Sequence, residues 1–301
     1  MRYVKLLLIL FIALISTDSA LGQPPKLTLD KDAKELSMNI SPARWTSPEI
    51  LLNDLRSDDD TTRLKALILF GLTKEQAQFD LPSANGKPSE KGVDAPDQVQ
   101  LRYATLGEDG TQQAILSAEL HSDTEYVAVA TPVNGGWNRV GVFSCWCKYE
   151  RGDIFTTFVH LQPAAGIAQT MELVLHASGG GTGLYEQTES RFRMHDGKLV
   201  RVASFISREM YCPVGYSKPQ PCTLDRRWFY WTVNNGVSGG ILLEGYARFT
   251  GKNDQPVEGQ VRDLEIRELQ RVTCTGFNWN DQQFRYEQVK LNPDPCVATP
   301  H

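Results

Sequence analysis

Histidine changes its charge near neutral pH, and a neighbouring carboxylate can recruit it for acid–base chemistry. The chain carries five, His121, His160, His176, His195 and His301. None stands in an H-x-x-x-H or H-E-x-x-H spacing, so zinc-hydrolase chemistry has no motif here, and the G-x-S-x-G serine elbow is absent as well. His160 and His176 fall in strand-like runs, where a hydrogen-bonded core or rim histidine is the ordinary outcome. As an acid–base residue either would need Glu172 or Glu186, and His176 with Glu186 is the candidate catalytic pair. The chain has 36 acidic residues, enough to supply two carboxylates for glycoside hydrolysis, but abundance selects no particular two.

The second chemical candidate is the stretch "ELVLHASGGGTGLYEQTESRFRM", with four glycines between Gly179 and Gly183. A phosphate cradle needs converging backbone N–H groups and a helix N-terminus facing the anion. Neither G-x-x-x-x-G-K-[ST] nor G-x-G-x-x-G occurs, and the residues after Gly183 are β-rich in character. The stretch is therefore expected to be a bend between strands. It lies beside His176, Tyr185, Glu186 and Glu189, which makes it the rim to inspect for a pocket. No cofactor is indicated, and no metal-ligand set. "LGEDG" holds only the acids Glu108 and Asp109 together, too few for a calcium loop, and Arg151-Gly152-Asp153 reads as turn chemistry.

Aromatic residues supply the binding candidates. In "RRWFYWTV", strand alternation sets Trp228, Tyr230 and Thr232 on one face and Phe229 and Trp231 on the other. Tyr and Trp on a sheet face stack on sugars or anchor protein partners, so Tyr185, Trp228 and Tyr230 are the candidate ligand contacts.

These residues need a scaffold, and the chain's organisation says what kind. Residues 1–22 have a basic start, an apolar run from Leu6 to Ile15 and small residues at Ala20-Leu21-Gly22, the order of a cleaved signal peptide. A mature chain from Gln23 is expected, secreted or periplasmic, with no later span long enough to cross a membrane. The chain has 31 basic and 36 acidic residues, a net charge of −5, with no basic cluster, which argues against nucleic-acid binding. Six cysteines behind a signal peptide read as disulfides. Cys212 and Cys222 bracket the turn-rich "PVGYSKPQP" and are the favoured pair. Cys274 with Cys296 is the second, and the partners of Cys145 and Cys147 stay open, since residues two apart on a strand sit at the edge of disulfide reach.

A polar leader (23–46) precedes a helical hairpin (47–73). Ser47 suits an N-cap, Pro48 the first helical position, and Ile50, Leu51 and Leu55 then Leu64, Leu67, Ile68 and Phe70 fall at helical spacing. The unit 47–72 resembles a HEAT repeat through Leu51, Leu52 and Leu55, Ser57 and Asp59 in the turn, and Arg63, Ala66 and Gly71 after it. That resemblance implies a partner-binding element, although a solenoid needs at least three units for stability; the plainer expectation is a hairpin packed on a larger domain. A linker or surface loop (74–96) follows. From Val99 the period becomes two, with about a dozen strand-like runs split by Gly-, Asn- and Asp-rich turns. A mainly β domain (97–292) of antiparallel meanders is expected, closing as a sandwich, a barrel or propeller-like sheets, with a tail (293–301). Its rhythm and "GFNWNDQQFRYE" are similar to secreted β repeats of the FG-GAP type.

The functional expectation is a non-catalytic binding module for a protein or glycan. The alternatives are a hydrolase, glycan-directed, with its site near Gly179–Gly183, and an accessory subunit docking through the hairpin.

Overall fold

The computed structural model describes residues 42–80, 91–120, 124–145, 159–164, 169–181, 183–212, 222–234, 237–249 and 271–290. Helix α1 (Pro48–Leu55) starts where Ser47 Oγ accepts the N–H groups of Glu49 and Ile50 at 3.1 and 3.3 Å, satisfying donors that a helix start leaves orphaned. Helix α2 (Asp60–Phe70) is capped in the same way by Asp59, whose carboxylate accepts Thr62 N–H at 2.8 Å.

Gly71 ends α2 at φ +142, where a side chain is strained, and a Cβ there would meet Val142 Cγ2 at 2.6 Å. Gly71→Ala is therefore expected to lower stability by about 1–3 kcal/mol, read as a reduced urea midpoint at unchanged m-value. The carbonyls left open at this helix end are taken by side chains from the sheet below. Trp45 Nε1 and Arg139 Nη1 both donate to Leu69 O, at 2.9 and 2.6 Å.

The hairpin lies on a five-stranded antiparallel sheet. Its strands are β1 (Arg44–Trp45), which precedes the helices, and β4 (Gln98–Thr105), β5 (Gln112–Leu120), β6 (Thr124–Val133) and β7 (Gly136–Cys145). They stand in the order β1-β7-β6-β5-β4. The short β2 (Gln78–Asp80) and β3 (Lys91–Val93) form a separate two-stranded ladder. Alternation splits each long strand between two cores. Ala114, Leu116, Ala118, Tyr126, Ala128, Ala130 and Val142 pack with Leu51, Leu55, Ala66, Leu67 and Phe70 of the helices. Ile115, Val127, Val129 and Phe143 face the other way, onto Leu173, Leu175, Phe192, Met194 and Leu199 of a second sheet.

That second sheet has eight strands in sequence order, an uninterrupted antiparallel meander among the described residues. It comprises β8 (Val159–Pro163), β9 (Met171–Gly181), β10 (Leu184–His195), β11 (Lys198–Tyr211), β12 (Cys222–Asn234), β13 (Val237–Phe249), β14 (Arg271–Asn280) and β15 (Arg285–Val289). β11 and β12 pair only from Arg208–Tyr211 to Arg226–Thr223. Beyond that short ladder the meander turns back on itself, so that Val202, Ala203 and Phe205 of β11 share a core with Phe229, Leu242, Phe277 and Tyr286 of β12–β15. Phe229 lies over Gly240 of the neighbouring strand β13, where a Cβ would sit 2.3 Å from Phe229 Cζ.

The mainly β class, the antiparallel sheets and the small N-terminal helical element all match expectation, and the result is sandwich-like. Four local readings need correction. The leader ends inside the fold, because Arg44 and Trp45 pair with Asn138 and Trp137. The 74–96 segment is no plain loop, since it contributes the β2–β3 ladder. Ile50 and Ile68, read as apolar-face residues of the hairpin, are 51% and 43% exposed. Gly179, Gly180 and Gly181 are strand residues paired with Glu186, Tyr185 and Leu184; the reversal lies at Gly183, φ +87. The stretch is thus the end of a strand plus a turn: the β10 ladder holds the three glycines extended, although glycine by itself disfavours a strand.

Candidate functional site

Between the two halves of the folded meander lies a buried polar cluster. Alternation on β10 turns Glu189, Arg191 and Arg193 to one side, and the register sets Glu189 opposite His176 and Arg191 opposite Val174 on β9. Glu172, two positions along from Val174, is fully buried. Its Oε2 accepts Arg191 Nη1 at 3.2 Å and its Oε1 lies 3.2 Å from Arg193 Nε. The Tyr286 hydroxyl donates to the same Oε1 at 2.5 Å, reaching across from β15. Charge-assisted bonds of this kind are the strong ones, and they offset much of the cost of burying the carboxylate.

Burial pushes the Glu172 carboxyl above its ordinary range, while Arg191, Arg193 and the Tyr286 hydroxyl pull the other way. The Tyr286 phenol is driven up, first by burial and then by the negative charge it touches. Aromatic faces complete the enclosure. The Arg191 guanidinium lies 4.7 Å from the centroid of Phe229, and that of Arg193 lies 4.0 Å from Trp279, a distance at which a cation is attracted to a ring face. Trp279 packs edge-on to Phe284, and Phe284 stacks on His195 at 4.0 Å.

Arg191 also reaches outward. Its Nε donates to Glu189 Oε1 at 2.6 Å and its Nη2 to Gln162 Oε1 at 2.9 Å. Gln162 in turn contacts His160, whose ring stacks on His176 with centroids 4.7 Å apart and planes at 20°. Burial above all, then the other ring and Arg191, holds His160 down to about 4. His176 is also held down to about 4, by burial and then by Arg191 and Arg226.

The sequence candidates are distributed around this cluster. His160 and His176 come together, but with each other. Glu172 is nearby and committed to two arginines and a tyrosine. Glu186 pairs with Gly179, three residues along β10 from the partner of His176, and by alternation it points to the opposite face of the sheet. The structure does not bring His176 and Glu186 together. Tyr185 stands at the strand end, 38% exposed, between Gly180 on one side and Met210 on the other. Trp228 is half-buried, with the Arg226 guanidinium 5.5 Å from its ring centroid. Tyr230 lies in β12, but its side chain is outside the described part of the chain.

The Cys212–Cys222 disulfide is present as expected, and Cys274 is disulfide-bonded too. Cys147, Cys296, His121, His301 and Arg151-Gly152-Asp153 lie outside the described residues. Asp109 accepts Thr111 N–H at 3.0 Å, an ordinary Asx turn. No group of three or more metal-ligating side chains occurs among the described residues.

Sequence reasoning missed the hub itself: Arg191, Arg193, Tyr286, Gln162 and Trp279. One signal was available. "ESRFRM" places three charges at alternate positions, which marks a shared strand face but does not say whether that face is wet.

The fold defines a mainly β, disulfide-bearing antiparallel sandwich with a helical hairpin as its outer layer. No known protein family, no characterised protein and no solved structure matches the chain.

Proposed function

We propose that the chain is a non-catalytic binding module. Its contact surface is the rim where β9, β10 and β11 end. One observation carries the reading: three large apolar side chains stand exposed on neighbouring strands there, Leu184 (37%), Tyr185 (38%) and Tyr211 (37%). Leu184 is paired with Tyr211, and Tyr185 with Met210, so by alternation the rim is apolar on both faces. Gly179, Gly180 and Gly181 alongside add no side chains to shield it. Cys212 N–H donates to Gly183 O at 2.7 Å and its sulfur is bonded to Cys222, which holds the rim in shape before any partner arrives. Exposed tyrosines on a pre-ordered surface are favoured anchors of protein contacts. A rim gripped from both faces suits a protein partner better than a sugar, which would use one.

The hydrolase alternative would require His176 and Glu186 to converge across the sheet. The accessory-subunit alternative rests on the hairpin's outer face, where Ile50, Ile68 and Leu69 are exposed.

The test is affinity capture with the chain immobilised and its disulfides intact, comparing wild type with Tyr185→Ala/Tyr211→Ala. Hot-spot truncations of about 2 kcal/mol each correspond to roughly 30-fold weaker binding apiece. The double variant is expected to melt like wild type and to lose the captured partner. A partner retained equally by both proteins would refute the rim. A glycan bound on an array and lost with Tyr185→Ala would keep the binding role and change the ligand class.

A further inference from the structure

The stacked histidines sit at one end of the eight-stranded sheet, on β8 and β9. β8 is the terminal strand of the eight-stranded sheet among the described residues. It is held to β9 by a ladder running only from Val159 opposite Leu175 to Pro163 opposite Met171, and its last residue, a proline, has no N–H to give. Its side chains are half-buried or exposed. Beyond that ladder, one face of β8 packs Val159 and Leu161 against the core between the sheets, and the other is tied by a polar chain: His160 to Gln162, Gln162 to Arg191, and Arg191 to the buried Glu172.

The chain has a fixed polarity. Gln162 Oε1 accepts from Arg191, so the amide orientation is set and Gln162 Nε2 is the donor toward His160 Nε2, 2.8 Å away. His160 Nε2 must therefore present a lone pair, which puts the ring proton on Nδ1. A proton added at Nε2 turns this contact into donor facing donor. It also places a positive charge against a second imidazole 4.7 Å away. The charged and titratable groups acting on the pair are Glu189 and Arg191 of β10 and Arg226 of β12. Beyond Arg191 stand Glu172 of β9, Arg193 of β10 and Tyr286 of β15. Among the described residues, Glu189 is the carboxylate close enough to welcome the charge, and it is already held by Arg191 at 2.6 Å.

We propose that β8 is an acid-released edge strand: protonation of the His160–His176 pair breaks its tie to Arg191 and detaches it from β9. Detachment bares the N–H and C=O groups of β9 and opens the side of the polar cluster. The direction follows from proton linkage. On the detached strand the His160 ring takes up a proton near its ordinary 6.5, and His176, left behind on β9, loses the cover of the stacked His160 ring, whereas in the intact sheet both rings resist protonation down to about 4. Between those values the detached state binds more protons, so the attachment weakens as pH falls through that window and is whole above it.

Two measurements on the full mature chain test this. Amide exchange by NMR, corrected for the intrinsic pH dependence of exchange, is expected to show protection at residues 159–162 falling at least tenfold from pH 7 to pH 4.5. Protection in β5 and β6 should be kept, and the His160 and His176 ring signals should titrate together well below 6.5. The His160→Gln variant, which keeps an amide that can accept from Gln162, is expected to hold β8 protection through the same range. Uniform loss of protection across both sheets would overturn the proposal, as would ring titration near 6.5 with β8 unchanged. If the variant does not fold, the wild-type exchange and titration alone decide.

Discussion

Replacing Glu172 with alanine is expected to destabilise the protein by about 3–5 kcal/mol, the cost of leaving buried charges without their partner. Arg191 and Arg193 are each about 1% exposed and both close on this carboxylate, while Tyr286 donates to it from the far strand. Removing the acid takes a charged partner from two guanidiniums and a hydroxyl at once. A loss of that size approaches the whole stability of many domains, so the variant should melt roughly 6–20 °C lower or accumulate unfolded. Glu172→Gln keeps the volume and one acceptor and should lose less. Tyr286→Phe should cost about 1–3 kcal/mol, because a charged acceptor loses one donor. The diagnostic measurement combines Glu172→Leu with Arg191→Met and Arg193→Met. If the cluster is a matter of mutual charge satisfaction, the triple variant is more stable than Glu172→Ala alone; if each side chain matters through packing, the losses accumulate. Urea denaturation of the set separates the two.

The second large effect is expected from deleting residues 47–72. The hairpin covers Ala114, Leu116, Ala118, Leu120, Tyr126, Ala128, Ala130 and Val142, a continuous apolar face of the five-stranded sheet. Exposed patches of more than a few hundred Å² drive association, so the deletion should yield aggregated protein even though none of the sheet's own hydrogen bonds is touched. Ladder pairs alone do not hold a sheet in water; its covered faces do. Size-exclusion chromatography of the truncated chain is the check. A soluble, monomeric β domain would show instead that the hairpin is a detachable docking element, as the accessory-subunit reading requires.

The helices are legible in the sequence because their caps are local: Ser47 with Pro48, and Asp59, bond within the first turn of the helix they start. The strand count and turns are legible for the same reason. Sidedness is not. In β5 and β6 the run "QQAILSAEL" and the run "TEYVAVATPV" are buried on both faces, since one face meets helices and the other a second sheet. A strand covered twice loses the alternation that would have told its inside from its outside. Glu189, Arg191 and Arg193 mislead in the opposite sense, by looking like a solvated stripe, because alternation reports which residues share a face and nothing about what covers it. The hub depends on Tyr286 reaching Glu172 across 114 residues of sequence, and no local pattern encodes that. The His160–His176 contact needs only the β8–β9 register, which no local pattern in either strand names.

The turning back of the meander also dictates an order of assembly. A chain made from its N-terminus has the hairpin, the five-stranded sheet and β8–β11 complete while the strand that carries Tyr286 is still missing. At roughly 5–20 residues per second, the 114 residues separating Glu172 from Tyr286 take on the order of ten seconds to appear. Throughout that interval the two arginines and the carboxylate keep their water, and the face that will become the protein's interior remains open. In a chain that folds as it is made, closure of this interior therefore waits for delivery of the C-terminal strand. A chain that stops short of Arg285 would carry the hairpin, the five-stranded sheet and β8–β14 and still be missing Tyr286, the residue that reaches Glu172.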